Sequence, residues 1–218
     1  MKPPNLFIAG GKYSGLYDID FSIGPEDKIL DIGGGHRPFP KATHIFDMTD
    51  KKEQRHGKDL KIDGKEFHEG DAIDLLPKFP DKYFDFCYSS HVIEHVPNLP
   101  LLLQLIQQKC KRGFFSFPAS DFEFFTAQAH YGHVNLLRLI GGTIHIAKRP
   151  PNTLCPELAR LFEHVFANNQ LFNQFWEGHN GKRGYRFIWE GRLYWEDEIK
   201  YIVHDNPADL YPQVNYFE

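Results

Sequence analysis

The feature that most constrains the fold is a short apolar run that ends in an acid and three glycines, Lys28-Ile29-Leu30-Asp31-Ile32-Gly33-Gly34-Gly35. A run of Ile and Leu that breaks into glycines is typical of a buried parallel strand followed by a sharp turn. Glycine also lets the backbone approach a ligand closely, so Gly33 to Gly35 form a candidate cofactor loop. Alone, the pattern fits a simple tight turn as well.

The chain then alternates between short strands and short helices or loops as far as residue 118. Strands are predicted at 42–47, 66–71, 83–88 and 112–118, with a helical turn at 72–76 and a helix at 98–110. This alternation is typical of an α/β sheet with parallel strands. Because Pro38 and Pro40 follow the glycine loop, no full helix is expected there.

The second half of the chain has a different pattern. Two apolar runs flank Gly141-Gly142, which predicts a hairpin, and residues 158–166 have the spacing of an amphipathic helix. Strands are predicted at 185–189 and 198–203, joined through Gly191.

Composition argues against several classes of protein. The 25 basic and 29 acidic residues leave a formal net charge of −4, which gives no global reason to bind nucleic acid. The three cysteines are far apart and without CxxC spacing, so neither a disulfide framework nor a cysteine zinc site is indicated. No apolar run suits a signal peptide or a membrane span, and we expect a cytoplasmic protein.

Acids and small polar residues follow the predicted strands. Asp47 ends the second strand, Asp71-Ala72 follows the third, and Ser89-Ser90-His91 follows the fourth. Ligands of such sheets lie at the carboxyl ends of the strands, so these residues should share a pocket with the glycine loop. An acid after the second strand suits a ribose diol, and Asp71 suits an adenine amino group.

These motifs, in this order, resemble the class I S-adenosylmethionine-dependent methyltransferases, specifically the type 11 branch, over roughly residues 25–120. The resemblance implies an α/β, Rossmann-like, mostly parallel seven-stranded sheet, whose antiparallel last strand would come from a C-terminal hairpin extension. It implies S-adenosylmethionine as cofactor. The implied contacts are Asp31, Gly33, Gly34 and Gly35 around the methionine moiety, Asp47 on the ribose, Asp71 and Ala72 at the adenine, and the backbone of Ser89 or Ser90 near the methionine amino group.

On this interpretation the chain is one methyltransferase-like domain over residues 1–218. Residues 1–27 would be a lead-in or flap, 28–120 the cofactor-binding core, and 121–218 the hairpins and helix on the acceptor side. The segment 36–41 departs from the family pattern, because it replaces the usual first helix.

Histidines supply the candidate catalytic residues. A base at the end of the fourth strand would assist methylation of a hydroxyl or an amine, and His91 is best placed, with His95 as second choice. A packed or structurally hydrogen-bonded histidine is the alternative for each. His130, Tyr131 and His133 form a further cluster, which we interpret as a surface cluster rather than an acceptor-side lid.

The stretch His91 to His95 also spells HxxEH, in which two histidines one helical turn apart bind zinc beside a Glu base. Glu163 would be a possible third ligand. Pro97 and Pro100 would cut such a helix short, and the type 11 family shows the same Glu-His-Val without metal, so we expect no metal site.

We therefore rank three candidate functions. The leading one is methyl transfer to a hydroxyl or amine of a small-molecule, lipid-linked or glycan acceptor. A non-catalytic S-adenosylmethionine-binding or interaction module is the alternative, and a zinc hydrolase using His91, Glu94 and His95 is the third. DNA is not expected as a partner, because no Asn-Pro-Pro-aromatic run follows the fourth strand.

Overall fold

The computed structural model describes residues 21–48, 59–62, 64–123, 132–150, 164, 168–169, 178–179, 182–183 and 190–211. The strands are β1 (Ile29–Ile32), β2 (His44–Asp47), β3 (Glu66–Glu69), β4 (Phe86–Ser90), β5 (Arg112–Pro118), β6 (Asn135–Ile140), β7 (Thr143–Lys148), β8 (Gly178–His179), β9 (Lys182–Arg183), β10 (Glu190–Glu196) and β11 (Tyr201–His204). The α-helices are α1 (Ala72–Leu75), α2 (Leu99–Lys109) and α3 (Ser120–Glu123), and 3₁₀ turns span Leu76–Lys78, Ile93–His95 and Pro207–Leu210.

The main sheet has the strand order β3-β2-β1-β4-β5-β10. The first five of these strands run parallel, and β10 pairs antiparallel with β5. The predicted α/β, mostly parallel, Rossmann-like architecture is therefore confirmed. The main sheet of the described residues contains six strands, so the seven-strand count and the hairpin extension are not confirmed.

A second sheet has the order β11-β7-β6, and β8 and β9 form a short pair. The predicted hairpin at Gly141-Gly142 joins β6 to β7, with φ of 55° and 80° at the two glycines. The helix predicted at 158–166 and the strand at 185–189 lie mostly or wholly outside the described residues.

The prediction that Gly191 lies in a connection between two strands is wrong, because this glycine lies inside β10 opposite Phe117 of β5. A Cβ at this position would lie 2.3 Å from Phe117 Cε2. The glycine is needed because an aromatic ring lies across the strand, not because the chain reverses there. The last strand, β11, pairs parallel with β7 and begins only at Tyr201.

The central strands are buried on both faces, which explains their continuous apolar sequences. Helix α2 covers one face with Leu99, Leu102, Leu103 and Ile106, all 0% exposed. Burying one such side chain contributes about 1.5–3 kcal/mol. An aromatic cluster that includes Phe21, Phe39 and Phe114 covers the other face. These two layers hold β1 and β4 in place, and the carboxyl ends of those strands carry the site.

In the part of the chain that the structure describes, no helix combines the length and apolar character that a membrane span requires. Cys87 and Cys110 are buried free thiols, and Cys155 lies outside the described residues.

Candidate cofactor and acceptor site

The predicted site residues lie along one edge of the main sheet. The glycine loop follows β1, Asp47 ends β2, Asp71 follows β3 and His91 follows β4. The strand order reverses at β1, which places the crevice between β1 and β4. The fold therefore brings the four motifs to the edge where such sheets bind ligands.

The glycine loop needs glycine for two physical reasons. Gly33 and Gly35 have φ of 73° and 55°, in the left-handed region that other residues rarely adopt. A Cβ on Gly33 would lie 2.3 Å from Val92 Cγ2, and the Gly33 N–H donates to the Phe46 carbonyl at 2.8 Å. The loop is thus a tight turn packed against β2 and the segment after β4. Between β1 and β2 it leads into turns without a helix, as predicted.

Asp47 fixes the far end of this loop. Its Oδ2 accepts a hydrogen bond from the Gly35 N–H at 2.7 Å, and Oδ1 accepts one from the Met48 N–H at 2.7 Å. A carboxylate offers about four lone-pair sites, and these two hydrogen bonds use two of those on the half-buried side chain. The arrangement fits the predicted ribose contact.

Asp31 lies beneath the loop. It is 1% exposed, and its Oδ2 accepts a hydrogen bond from the Phe39 N–H at 2.6 Å. A Cβ on Gly34 would lie 2.6 Å from the same oxygen. Burial raises the pKa of Asp31 to about 7, with the Phe39 N–H opposing this and Asp47 adding to it. Asp31 therefore supports the loop from below, and its contact with a cofactor stays a prediction.

The adenine candidates lie at the start of α1. Asp71 is exposed and caps the helix, since its Oδ1 accepts from the Ile73 N–H at 2.9 Å. Ala72 follows it and is 8% exposed. The cap uses one lone pair of the carboxylate and leaves others for an amino group.

The two serines at the end of β4 differ in their surroundings. Ser89 is 1% exposed, pairs in register with Ile32 beside the glycine loop, and its Oγ has no hydrogen-bond partner among the described residues. Ser90 Oγ lies 2.7 Å from Ser116 Oγ on β5. Their backbone contact with a methionine amino group stays a prediction.

His91 has a strained backbone. Its φ is 56°, a conformation that costs a non-glycine residue about 1–3 kcal/mol. The His91 N–H donates to the Ser116 carbonyl at 2.8 Å, which holds the turn. The side chain is 38% exposed, and its Nε2 lies 3.2 Å from Glu190 Oε1 on β10. Such strain is typical of a functional position, and here it turns the ring toward β10.

The sequence did not indicate Glu190, which is 99 residues from its partner His91. Its Oε2 accepts hydrogen bonds from Arg192 Nη2 at 2.9 Å and Nε at 3.2 Å. Although burial opposes the shift, the hydrogen bond and charge of His91 and the charge of Arg192 lower the pKa of Glu190 to about 2. Glu190 is therefore ionised, and it accepts a hydrogen bond from the His91 Nε2–H.

The HxxEH stretch does not form the arrangement of an inverted zincin. Only Ile93–His95 is helical, as one 3₁₀ turn, and His91 precedes it. Instead, Glu94 Oε1 lies 3.9 Å from His95 Nε2 and 3.9 Å from His133 Nε2. The proposed third ligand, Glu163, lies outside the described residues.

The prediction of a surface cluster is wrong for His133, whereas His130 and Tyr131 lie outside the described residues. The His133 side chain is 14% exposed, and its Nδ1 hydrogen-bonds to the buried Glu123. Burial, followed by the charge of His133, lowers the pKa of His95 to about 4. Local spacing could not have shown this, because the partners come from three separate segments.

A Rossmann-like sheet with a glycine loop and acids at its reversal point defines an α/β protein that binds a nucleotide-containing cofactor. The family model described as "Methyltransferase domain" matches residues 18–171, and the chain belongs to this family. The predicted class I S-adenosylmethionine-dependent methyltransferase family is thereby confirmed, with S-adenosylmethionine as its cofactor.

Solved structures of similar proteins include an S-adenosylmethionine-dependent methyltransferase from Archaeoglobus fulgidus, at 23% identity and a TM-score of 0.39, over 64% of this chain and 60% of that one. A second, from Mesorhizobium loti, has 18% identity and a TM-score of 0.35, over 56% of this chain and 57% of that one. The arsenic(III) S-adenosylmethionine methyltransferase CrArsM from Chlamydomonas reinhardtii has 18% identity and a TM-score of 0.34, over 43% of this chain and 39% of that one.

The matched part of this chain thus spans at most 60% of the length of those three proteins. No curated protein matches the chain significantly.

Proposed function

We propose that this protein transfers the methyl group of S-adenosylmethionine to a hydroxyl or amine of a small-molecule, lipid-linked or glycan acceptor. The observation that carries the proposal is the convergence of the glycine loop, Asp47, Asp71 and the His91–Glu190 pair on one sheet edge. When bound, the cofactor supplies a methyl group already activated by a positively charged sulfur. The protein mainly has to orient the acceptor and take its proton.

The cofactor would be held mostly at the ends of β1 to β3. Asp47 would accept from the ribose hydroxyls while still holding the Gly35 N–H, and Asp71 would accept from the adenine amino group beside Ala72. The methionine moiety would lie against Gly33 to Gly35 and the backbone of Ser89 and Ser90. Asp31 would interact with the cofactor from beneath the glycine loop, because a nearby positively charged sulfur favours the ionised form of its carboxyl group.

His91 is the proposed proton acceptor. The Nε2–H···Glu190 hydrogen bond would orient the ring, and Nδ1, which lies 3.6 Å from Glu94 Oε1, would take the acceptor's proton as the new bond to the methyl carbon forms. Glu190 is a positioning residue that also stabilises the imidazolium. His95 suits proton transfer less well, because a pKa of about 4 makes its imidazole a weak base near pH 7.

The test is transfer of a labelled methyl group. Purified protein is incubated with methyl-labelled S-adenosylmethionine and a panel of hydroxyl and amine acceptors, including the low-mass fraction of a cell extract. We expect the wild type to label an acceptor and His91→Gln to lower the rate by about 10²–10⁴-fold, since this is the contribution of a general base. S-adenosylhomocysteine affinity should stay unchanged.

His145→Gln is the matched control, because His145 lies on β7 in the second sheet and pairs with His204. It should transfer methyl groups at the wild-type rate. A wild type that binds S-adenosylhomocysteine but labels no acceptor would overturn the proposal and favour the non-catalytic binding module.

A further inference from the structure

Beside the proposed site, Glu94, His95 and His133 point polar atoms at one another. We call them the His-Glu cluster. One atom from each lies within 4.8 Å of the other two. Glu94 Oε1 is 3.9 Å from Nε2 of each histidine, and the two rings meet edge to face with centroids 4.6 Å apart. The cluster combines one carboxylate and two imidazoles.

The carboxylate of Glu94 requires a positive partner or a proton. It is 1% exposed, and neither of its oxygens has a hydrogen-bond donor among the described residues. A buried carboxylate without such partners is costly. Besides the two histidines of the cluster, His91 Nδ1 lies 3.6 Å away. Arg149 contacts Glu123 instead, at 3.7 Å.

We propose that Glu94, His95 and His133 bind a divalent transition-metal ion, with Zn²⁺ as the best match. Two imidazoles and a carboxylate form a common zinc ligand set with a fourth position open. Ligand atoms of a tetrahedral zinc lie about 3.3 Å apart, because the bonds are about 2.0–2.2 Å long. Side-chain movements of less than about 1 Å would therefore bring the 3.9 Å pairs to this distance.

The surroundings are those of a metal site. The second nitrogen of His133, Nδ1, hydrogen-bonds to Glu123, which Arg149 neutralises in turn. Histidines that bind metals usually donate their other N–H to a carboxylate in this way, which orients the ring and strengthens the ligand.

The backbone holds the two ligand-bearing segments together without any metal. The Val134 N–H donates to the Glu94 carbonyl at 2.9 Å, and Asn135 Nδ2 donates to the Val96 carbonyl at 2.8 Å. Lys148 Nζ in turn donates to Asn135 Oδ1 at 2.9 Å. A metal would therefore find its ligands in place and would clamp the β4–α2 connection to the start of β6.

The experiment is a metal titration of the full chain after treatment with a chelator. We expect Zn²⁺ to bind at an equimolar ratio by calorimetry, and Co²⁺ to give visible absorption bands. The midpoint of thermal unfolding should rise by roughly 5–10 °C at about a hundredfold excess of Zn²⁺ over Kd. His133→Asn should weaken Zn²⁺ binding by more than about a hundredfold, because loss of an outer partner alone costs about 10–100-fold.

The matched control is His68→Asn. His68 and His44 both contact a glutamate, Glu66, at 2.9 and 3.2 Å. This glutamate is 60% exposed, and the three residues do not bring one ligand atom each within 4.8 Å of the other two. Loss of His68 should leave Zn²⁺ affinity unchanged.

Absence of saturable Zn²⁺ binding, or equal affinity in His133→Asn and the wild type, would overturn the proposal. If His133→Asn does not fold, Glu94→Gln provides a second variant of nearly the same shape, and it must also lose the Co²⁺ bands. S-adenosylhomocysteine binding, measured on the same samples, verifies that the cofactor edge is folded. None of these readouts depends on methyl transfer.

Discussion

The cofactor edge and the histidine-rich end of β4 are neighbours, but they are built in different ways. At the cofactor edge the key hydrogen bonds join residues close in sequence, 8 apart for Asp31 and Phe39 and 12 apart for Asp47 and Gly35. At the end of β4, His91 and Glu190 are 99 residues apart. The first region is assembled by a local motif, and the second only by the complete fold.

The two regions also use different chemistry. At the cofactor edge, carboxylates accept hydrogen bonds from backbone N–H groups. At the end of β4, by contrast, a histidine side chain contacts two glutamate side chains. Changes in the first should therefore alter cofactor affinity and stability. Changes in the second should alter turnover and leave cofactor affinity intact.

The largest effect is expected for Gly33→Ala at the cofactor edge. The left-handed backbone and the overlap with Val92 should together lower the free energy of unfolding by about 2–4 kcal/mol. Affinity for S-adenosylhomocysteine should fall as well, because the loop must shift. Urea unfolding and calorimetry measure the two effects.

Gly141→Ala is its control, since Gly141 has a φ of 55° but open space around its Cβ position. It should lose only the backbone contribution, about 1–2 kcal/mol, and no cofactor affinity. Equal losses in the two variants would show that the contact with Val92 does not shape the loop.

The second-largest effect is expected at the His91–Glu190 pair. Glu190→Gln should lower kcat of methyl transfer by about 100-fold, because the ring of His91 loses its orienting carboxylate. KM for the cofactor should change little. Steady-state kinetics separates the two constants.

Glu196→Gln, on the same strand but exposed, should behave as wild type. A parallel loss of cofactor affinity and kcat in Glu190→Gln would contradict the separation of the two regions.

Measured over a single pH unit, the smallest effect is a pH dependence of stability due to Asp31. Its pKa is raised by burial to about 7, so the folded state holds a proton that the unfolded state has released above its pKa of 3.8. Stability should therefore fall as pH rises between about 4 and 7, by up to about 1.4 kcal/mol per pH unit. Asp31→Asn should remove this slope in urea unfolding at a series of pH values.

Asp85 should contribute a pH dependence of stability with the opposite sign, and Asp85→Asn should remove it. Although partial burial opposes the shift, hydrogen bonds from Lys111 and the Lys28 N–H lower the pKa of Asp85. Its contribution to stability is thus lost as pH falls toward the folded pKa. Identical pH profiles for Asp31→Asn and the wild type would show that Asp31 is ionised in the folded protein.

The same contrast explains what could be predicted from the sequence. The strands around the glycine loop, the edge they share and the hairpin at Gly141-Gly142 follow from local apolar patterns and turn residues. The prediction of a strand connection at Gly191 is wrong because, in sequence, a glycine that makes room for a neighbouring ring cannot be distinguished from a glycine in a connection. Only the pairing of β10 with β5 shows the difference.

The end of β4 was predictable only in part. His91 and His95 follow from their position after a strand, but Glu190, Glu123 and the burial of His133 depend on contacts between distant segments. No spacing rule links these residues, since their distances along the chain reflect loop lengths. The family resemblance identified residues of the cofactor edge because its motifs consist of residues that are close together in the sequence.

The most direct measurement is calorimetric binding of S-adenosylhomocysteine to the wild type, Asp47→Asn and Asp81→Asn. Asp81 is an exposed aspartate paired with Lys109, away from the cofactor edge. We expect equimolar binding to the wild type and to Asp81→Asn, and about 10–100-fold weaker binding to Asp47→Asn, because a hydrogen bond to a charged group contributes about 1.5–3 kcal/mol. A wild type that does not bind, or a folded Asp47→Asn that binds as tightly as the wild type, would contradict the assignment of the cofactor to this edge.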